Sequence, residues 1–257
     1  MEYSFTQKNL SQESYKALFE SFSQARSTLG SGKKLTLKTP TNPLLGHQAM
    51  QISTGVAFDD GLATALAGVQ VGYHSAEDGS YGFLRGTEID FLSFVLAYKE
   101  QHVSIQEATL FSVASFAQRS HLFKSISWRG KVGWDKESLS QRANFISTAG
   151  AGVSWGNKSA YMYMMLDPLV YYDAKVLTAL GGSIGLVYDG FAKTNTNLEL
   201  TKRYYDTGEE QWLIKASQNF RVSQNLHLLL KYDSIEKNTP LETHKKESYK
   251  ALLHFFL

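Results

Sequence analysis

The residues able to do chemistry in this chain are restricted in kind. None of the 257 residues is a cysteine, which excludes thiol catalysis, disulfides, thiolate-bound zinc and iron–sulfur clusters. Seven histidines, His47, His74, His102, His121, His227, His244 and His254, are scattered along the chain. None forms an HExxH or comparable metal spacing, so they read as loop, lumen or interface residues rather than metal ligands. Ser120-His121, with Ser125 and Ser127 nearby, is the one serine–histidine grouping that resembles a nucleophile and its base. Adjacent residues on a strand point to opposite faces, so that pair does not supply the hydrogen bond a nucleophile needs. Catalysis within the chain is therefore not expected, and neither is a cofactor. What remains are isolated charges: Arg129, Lys131, Asp135, Lys215, Arg221, Lys231, Asp233 and Lys250. They alternate with apolar residues and share their face with Gly, Ser, Thr and Asn. Such a face suits the interior of a narrow barrel. Basic residues outnumber acids such as Asp135, Glu199 and Asp233, so an open interior would favour anions. The alternative is that these charges pair across strands in a packed interior.

Composition narrows the setting. Lys plus Arg is 26 and Asp plus Glu 24, a balance that gives no basic stripe, and nucleic acid is not an expected partner. Charged residues are 19%, below the roughly 25% of soluble domains. No apolar run approaches the roughly 20 residues of a membrane-spanning helix. The opening Met1-Glu2-Tyr3-Ser4 is polar and unlike a signal peptide, which fits a piece cut from a longer precursor.

Residues 1–46 read as an N-terminal helix and linker. Ser11 caps a helix over 11–29, in which Tyr15, Leu18, Phe19, Phe22, Ala25 and Leu29 form one face and Gly30 is the stop. Lys33 to Leu45, with Pro40 and Pro43, reads as extended linker. The helix serves either as a docking element or connector, or as a plug inside a barrel. From 47 to 257 the period becomes two. Twelve strands are expected: 47–58, 62–73, 88–99, 103–116, 126–135, 143–155, 159–167, 175–188, 192–203, 211–222, 225–234 and 247–257. The parity of 103–116 and 159–167 is muddled.

Alternation alone fits a soluble ligand-binding β-barrel as well as an inverted one. Three features favour the inverted case, with lipid outside. The minority face is built from small residues and isolated charges. Trp128, Trp134, Trp155, Tyr188, Trp212 and Tyr232 stand at strand ends, as an interfacial girdle requires. Tyr249, Ala251, Leu253, Phe255 and Leu257 alternate to the last residue, which resembles the C-terminal signal read by the barrel insertion machinery, although Leu257 stands where an aromatic is usual. The expectation is a closed antiparallel up-and-down transmembrane β-barrel of about 12 strands in the outer membrane of a Gram-negative bacterium, with outer-membrane lipid as its surroundings. Closure follows because an open edge in hydrocarbon leaves backbone groups unpaired.

With both termini on the periplasmic side, the tight turns 156–158, 189–190 and 223–225 face the periplasm. The longer connections 135–142, 204–210 and 234–246 face outward. The first half breaks this pattern: Asp59-Asp60-Gly61 is short where an outer loop belongs, and 74–87 and 117–125 are long on the periplasmic side. Those two loops are candidates for docking an adjoining domain, through His74, Asp78, Tyr81, Arg85, Arg119, His121 and Phe123.

Short stretches carry a family resemblance: Pro43-Leu44-Leu45-Gly46-His47, Gly72-Tyr73-His74, Gly86-Thr87-Glu88-Ile89-Asp90-Phe91-Leu92, Leu122-Phe123-Lys124-Ser125-Ile126-Ser127-Trp128 and Gly133-Trp134. Over about residues 15–257 the chain resembles the C-terminal barrel region of Gram-negative envelope proteins that carry an Lnb-type periplasmic domain. Ser125 stands where that family has a proline, and Ala76 to Leu84 replaces an acidic, proline-containing loop. The resemblance implies a membrane-anchoring half that cooperates with a periplasmic Cys-hydrolase-like domain absent from this chain. It also makes the 11–29 helix the connector. Small anion-preferring diffusion is the competing function. Outer-membrane phospholipases also use twelve-stranded barrels, but their Ser–His arrangement is not matched here.

Overall fold

The computed structural model describes residues 5–6, 10–30, 32, 46–59, 61–79, 82–137, 139, 143–157, 159–173, 175–189 and 193–257. The described residues of 1–40, together with Ser120–Lys124, form one compact unit; those of 41–119 and 125–257 form the other. The first unit holds helix α1 (Gln12–Thr28). The Ser11 hydroxyl accepts from the Ser14 N–H, so one of the four unpaired N-terminal donors is satisfied, and Glu13 sits in the first turn where the helix dipole favours an acid. Tyr15 stacks on Phe5 and Phe19 within this unit. The expected linker at 33–45 lies outside the described residues.

The second unit is a barrel of twelve antiparallel strands: β1 (Gln51–Asp59), β2 (Leu62–His74), β3 (Thr87–Lys99), β4 (His102–Ser115), β5 (Ser127–Asp135), β6 (Asn144–Gly156), β7 (Ala160–Asp173), β8 (Lys175–Tyr188), β9 (Thr194–Tyr205), β10 (Glu210–Arg221), β11 (Leu226–Asn238) and β12 (Thr243–Phe256). Each strand pairs with its sequence neighbours, and β1 pairs with β12, so the sheet closes. Closure leaves no edge of unpaired N–H and C=O groups. Strands of 9 to 14 residues meet the roughly 9–11 needed for a tilted strand to cross hydrocarbon.

The apolar faces point out. Trp128 is 49% and Ile214 45% exposed, whereas Leu229, one residue out of phase with its neighbours Leu228 and Leu230, is 1% exposed and lies inside. The inward-facing apolar arrangement of a soluble barrel is therefore not the one adopted. Outward aromatics gather toward both ends: Trp128 and Trp155 at the end where the barrel's termini meet, Trp134, Tyr172 and Tyr204 at the other.

Two strands depart from simple alternation for different reasons. In β4 the pairing shifts between Thr109 and Phe111 against β5, and between Ile105 and Glu107 against Leu96 and Val95 of β3, so bulges move side chains from one face to the other. In β7 the spacing is regular, but both faces are apolar. Tyr161, Tyr163, Met165, Leu169 and Tyr171 point inward and are buried, while Met162, Met164 and Leu166 point outward. β7 also continues six residues past its expected end, through Pro168. That proline has no N–H to donate, and the β6–β7 ladder skips the stretch opposite Ala149 and Gly150. β1 begins at Gln51 rather than 47, because His47 turns its ring onto Phe83 and Phe256 instead of joining the ladder.

Candidate functional site

The barrel interior holds the candidate site. Its register places the polar face of each strand inward, and three groups of charge meet there. The Arg129 guanidinium, on β5, is bidentate on Asp167 of β7 through Nε to Oδ1 at 2.8 Å and Nη2 to Oδ2 at 2.7 Å. Its Nη1 donates to Glu199 Oε2 at 2.6 Å, and its Nη2 also to Ser183 Oγ at 2.7 Å. The Tyr163 hydroxyl donates to the same Glu199 oxygen at 2.6 Å. Gly150 makes room for this cluster: a Cβ there would collide with the Asp167 carboxylate. Next to it, Lys131 reaches Glu107 at 2.8 Å and Asp135 at 3.5 Å.

The second group comes from the end opposite the termini. Glu137, in the connection after β5, folds inward, accepts a hydrogen bond from Lys215 and forms an ion pair with Arg203 at 2.9 Å. Burial alone would raise the Glu137 carboxyl; Lys215, Arg203 and Lys131 around it hold it well below the usual carboxylate range. Lys215 does face Asp233 in register, yet its ammonium goes to Glu137, and Asp233 instead takes Lys250 at 2.6 Å. Arg221, the last residue of β10, is opposite His227.

The third group comes from the termini end. The connection after β2 turns inward at its start. Its short 3-10 turn, Ala76–Asp78, sits against β9 and β10 inside the barrel. Glu77 pairs with Lys231 at 2.8 Å, and Asn197 donates to the Ala76 carbonyl. Asp78 accepts from Ser75 N–H and Oγ on one oxygen and from Asn219 on the other, and lies 3.6 Å from His227 Nδ1. Burial would raise the Asp78 carboxyl, but the neighbouring imidazoles of His227, His254 and His47 hold it below its ordinary value. Four histidines converge here. His47 Nε2 is 3.3 Å from His74 Nδ1, His227 lies edge-on to His47, and His254 accepts from Gln51 at 2.8 Å. Burial lowers the His47 pKa.

The residues expected to dock a partner thus fall in three places. His74 and Asp78 are buried in the barrel end. Arg85 donates to the Asn157 carbonyl at 2.8 Å and pairs with Asp189 at 3.5 Å. Arg119 donates its N–H to the Ser154 carbonyl, and His121 and Phe123 are exposed in the smaller unit. Tyr81 lies outside the described residues. Ser120 Oγ accepts from the N–H groups of Leu122 and Phe123, the role of a turn cap, and Ser127 is buried on β5.

An excess of positive charge was expected inside, but Arg129, Lys131, Arg203, Lys215, Lys231 and Lys250 each meet a carboxylate. Sequence reasoning missed Asp167, Glu107, Glu137 and Glu77 as their partners. Asp167 carried a signal, being an acid set among apolar residues in the middle of a strand. Glu77 and Glu137 carried none, because nothing local says that a loop turns inward. Between the charge groups lie apolar clusters, one around Phe116, Tyr161, Tyr163 and Val187, another around Ile146, Leu169, Tyr171 and Tyr205. At the end opposite the termini a cavity of about 1100 Å³ opens, bordered by Asp59, Lys99, Glu100, His102, Lys136 and Lys246.

Solved porins share this architecture. The NanC porin is similar over 80% of this chain and 100% of its own, with a TM-score of 0.51 at 8% identity. The KdgM porin covers 80% and 99% at 0.48 and 7%. An anion-selective porin from Comamonas acidovorans covers 81% and 98% at 0.41 and 8%. At such identities the likeness concerns the barrel fold. No curated protein matches the sequence. A family model matches residues 40–254, nearly the whole barrel unit, and the chain accordingly belongs to the family described as Domain of unknown function (DUF7840).

Proposed function

We propose that this chain is a closed outer-membrane barrel that anchors a periplasmic domain rather than conducting solutes. The outward apolar belt and interfacial aromatics support the membrane setting. One observation carries the closed state: the Ala76–Asp78 turn and Glu137 enter the barrel from opposite ends and pair with Lys231, Lys215 and Arg203. A channel needs interior charges that are solvated and exchange partners with the permeating ion. Here they are committed to one another. The partner is a periplasmic Cys-hydrolase-like domain, as the sequence resemblance implies, and its contact includes His121 and Phe123.

Planar-bilayer recording tests the closed barrel. Purified wild type is expected to give no discrete openings, while a chain lacking 76–85 conducts. Openings in the wild type at the same frequency refute it. Capture of a purified periplasmic module by the wild type, lost when 120–124 is replaced by Gly-Ser, tests the anchor; equal capture refutes it. The second reading, an anion-preferring channel, draws on Lys99, His102 and Lys136 around the cavity, where Glu100 also stands and Lys246 pairs with Asp59 at 3.1 Å, and chloride-selective openings in the wild type would establish it.

A further inference from the structure

We propose that the termini end of the barrel binds a divalent transition-metal ion, Zn²⁺ or a cation of similar preference, through His47, His74 and Asp78. The ligand atoms of these three side chains lie within 4.8 Å of one another. They come from three separate parts of the chain: the segment before β1, the end of β2 and the inward 3-10 turn. Two zinc–nitrogen bonds of about 2.0–2.1 Å at a tetrahedral angle place their nitrogens roughly 3.3–3.4 Å apart. His47 Nε2 and His74 Nδ1 are 3.3 Å apart.

The surroundings suit ligation as well. His47 Nδ1 donates to the Gln48 carbonyl at 2.7 Å, which leaves Nε2 with the lone pair and holds the ring in place. Metal-bound imidazoles are oriented by just such a carbonyl on the other nitrogen. Asp78 is fixed by Ser75 and Asn219. A third imidazole, His227, is 1% exposed, stands against Asp78 through Nδ1, and has a buried Nε2 with no hydrogen-bond partner among the described residues. Its ring nitrogens are not among the atoms that converge within 4.8 Å, so His227 borders the His47–His74–Asp78 group rather than completing it. Two imidazoles and a carboxylate are a donor set for Zn²⁺, Co²⁺ or Ni²⁺ rather than for Ca²⁺ or Mg²⁺. Bound there, the ion joins the inward turn to the barrel wall and to the segment leading into β1, so it would fasten the closure at this end.

The test uses the full, untagged chain refolded in detergent, stripped with EDTA and titrated with Co²⁺ by visible absorption and with Zn²⁺ by calorimetry. One equivalent per chain is expected, with micromolar or tighter affinity and Co²⁺ bands of nitrogen ligation. His47→Gln lies outside the strands, so the barrel still forms, as heat-modifiable gel migration verifies. That variant and His74→Gln should bind at least tenfold more weakly, and Zn²⁺ should no longer raise their unfolding temperature. His102→Gln, His121→Gln and His244→Gln, all at exposed positions, should titrate as the wild type does. No binding to the folded wild type overturns the proposal. So does equal affinity in folded His47→Gln, which would assign the ion to surface histidines. The bilayer recordings are scored separately, so a barrel that conducts would leave this result standing.

Discussion

Replacing Arg129 with Met removes one cation and strands two carboxylates. Asp167 and Glu199 have side chains only 8% and 19% exposed and take three charged hydrogen bonds from that guanidinium. Breaking a buried ion pair from one side costs about 3–5 kcal/mol, because the remaining charge keeps its desolvation penalty without its partner. With a urea slope of roughly 3 kcal/mol per molar, this lowers the unfolding midpoint by about 1–1.7 M. Tryptophan fluorescence of the refolded barrel against urea reads the shift, and heat-modifiable migration confirms that the variant folded. The charge explanation makes a second demand. Adding Asp167→Asn and Glu199→Gln to Arg129→Met should recover at least half of the loss, since neutral amides cost far less to leave without a cation. A single variant as stable as the wild type would refute the reasoning. A triple variant no better than the single one would place the cost in lost packing of the arginine stem.

Glycine substitutions test the interior packing: Gly150→Ala, driven into the Asp167 carboxylate, and Gly185→Ala, driven into the Tyr163 ring, should each lose about 1–3 kcal/mol in the same urea assay. Gly182→Ala, where a Cβ meets open space, should be neutral. Ile214→Arg, on the outward face, should cost about 2–4 kcal/mol in vesicles if the belt lies in hydrocarbon; an unchanged midpoint would deny it. Glu137→Gln tests pH dependence. The folded-state pKa of Glu137 is depressed, so its stabilisation is present above the unfolded value of about 4.3 and is lost as pH falls through the folded value. The wild type should therefore exceed the variant at pH 7, and the gap should close on acidification; a gap independent of pH would contradict the Lys215–Glu137–Arg203 assignment.

The strands were legible because a sheet between two unlike media writes its faces into alternate residues. Trp212, Ile214 and Phe220 against Lys215 and Asn219 give both the strand and its inward face, and the Lys215–Asp233 register follows from the turn alone. Legibility failed where the interior stopped being polar. β7 has an inward face of Tyr161, Tyr163, Met165 and Leu169, so no contrast marks its parity, and its real length was hidden. Bulges in β4 defeat a period-two reading for a different reason, since one extra residue reverses the face of all that follow.

The interior charges expose a deeper limit. A register argument gives neighbours along the wall, and by that argument Lys215 belongs with Asp233. Lys215, Arg203 and Lys231 instead take carboxylates on loops that enter the lumen, and Arg129 reaches β7 and β9, which do not neighbour its own strand, whereas Lys250 does find Asp233 on the adjacent strand. The same inward turn explains the two sequence features that seemed unrelated. A long connection broke the loop asymmetry at 74–87, and histidines at 47, 74, 227 and 254 had no common spacing. Folding the start of that connection, Ala76–Asp78, into the barrel end places Asp78 among all four rings, an arrangement set by closure of the sheet rather than by any segment of the chain.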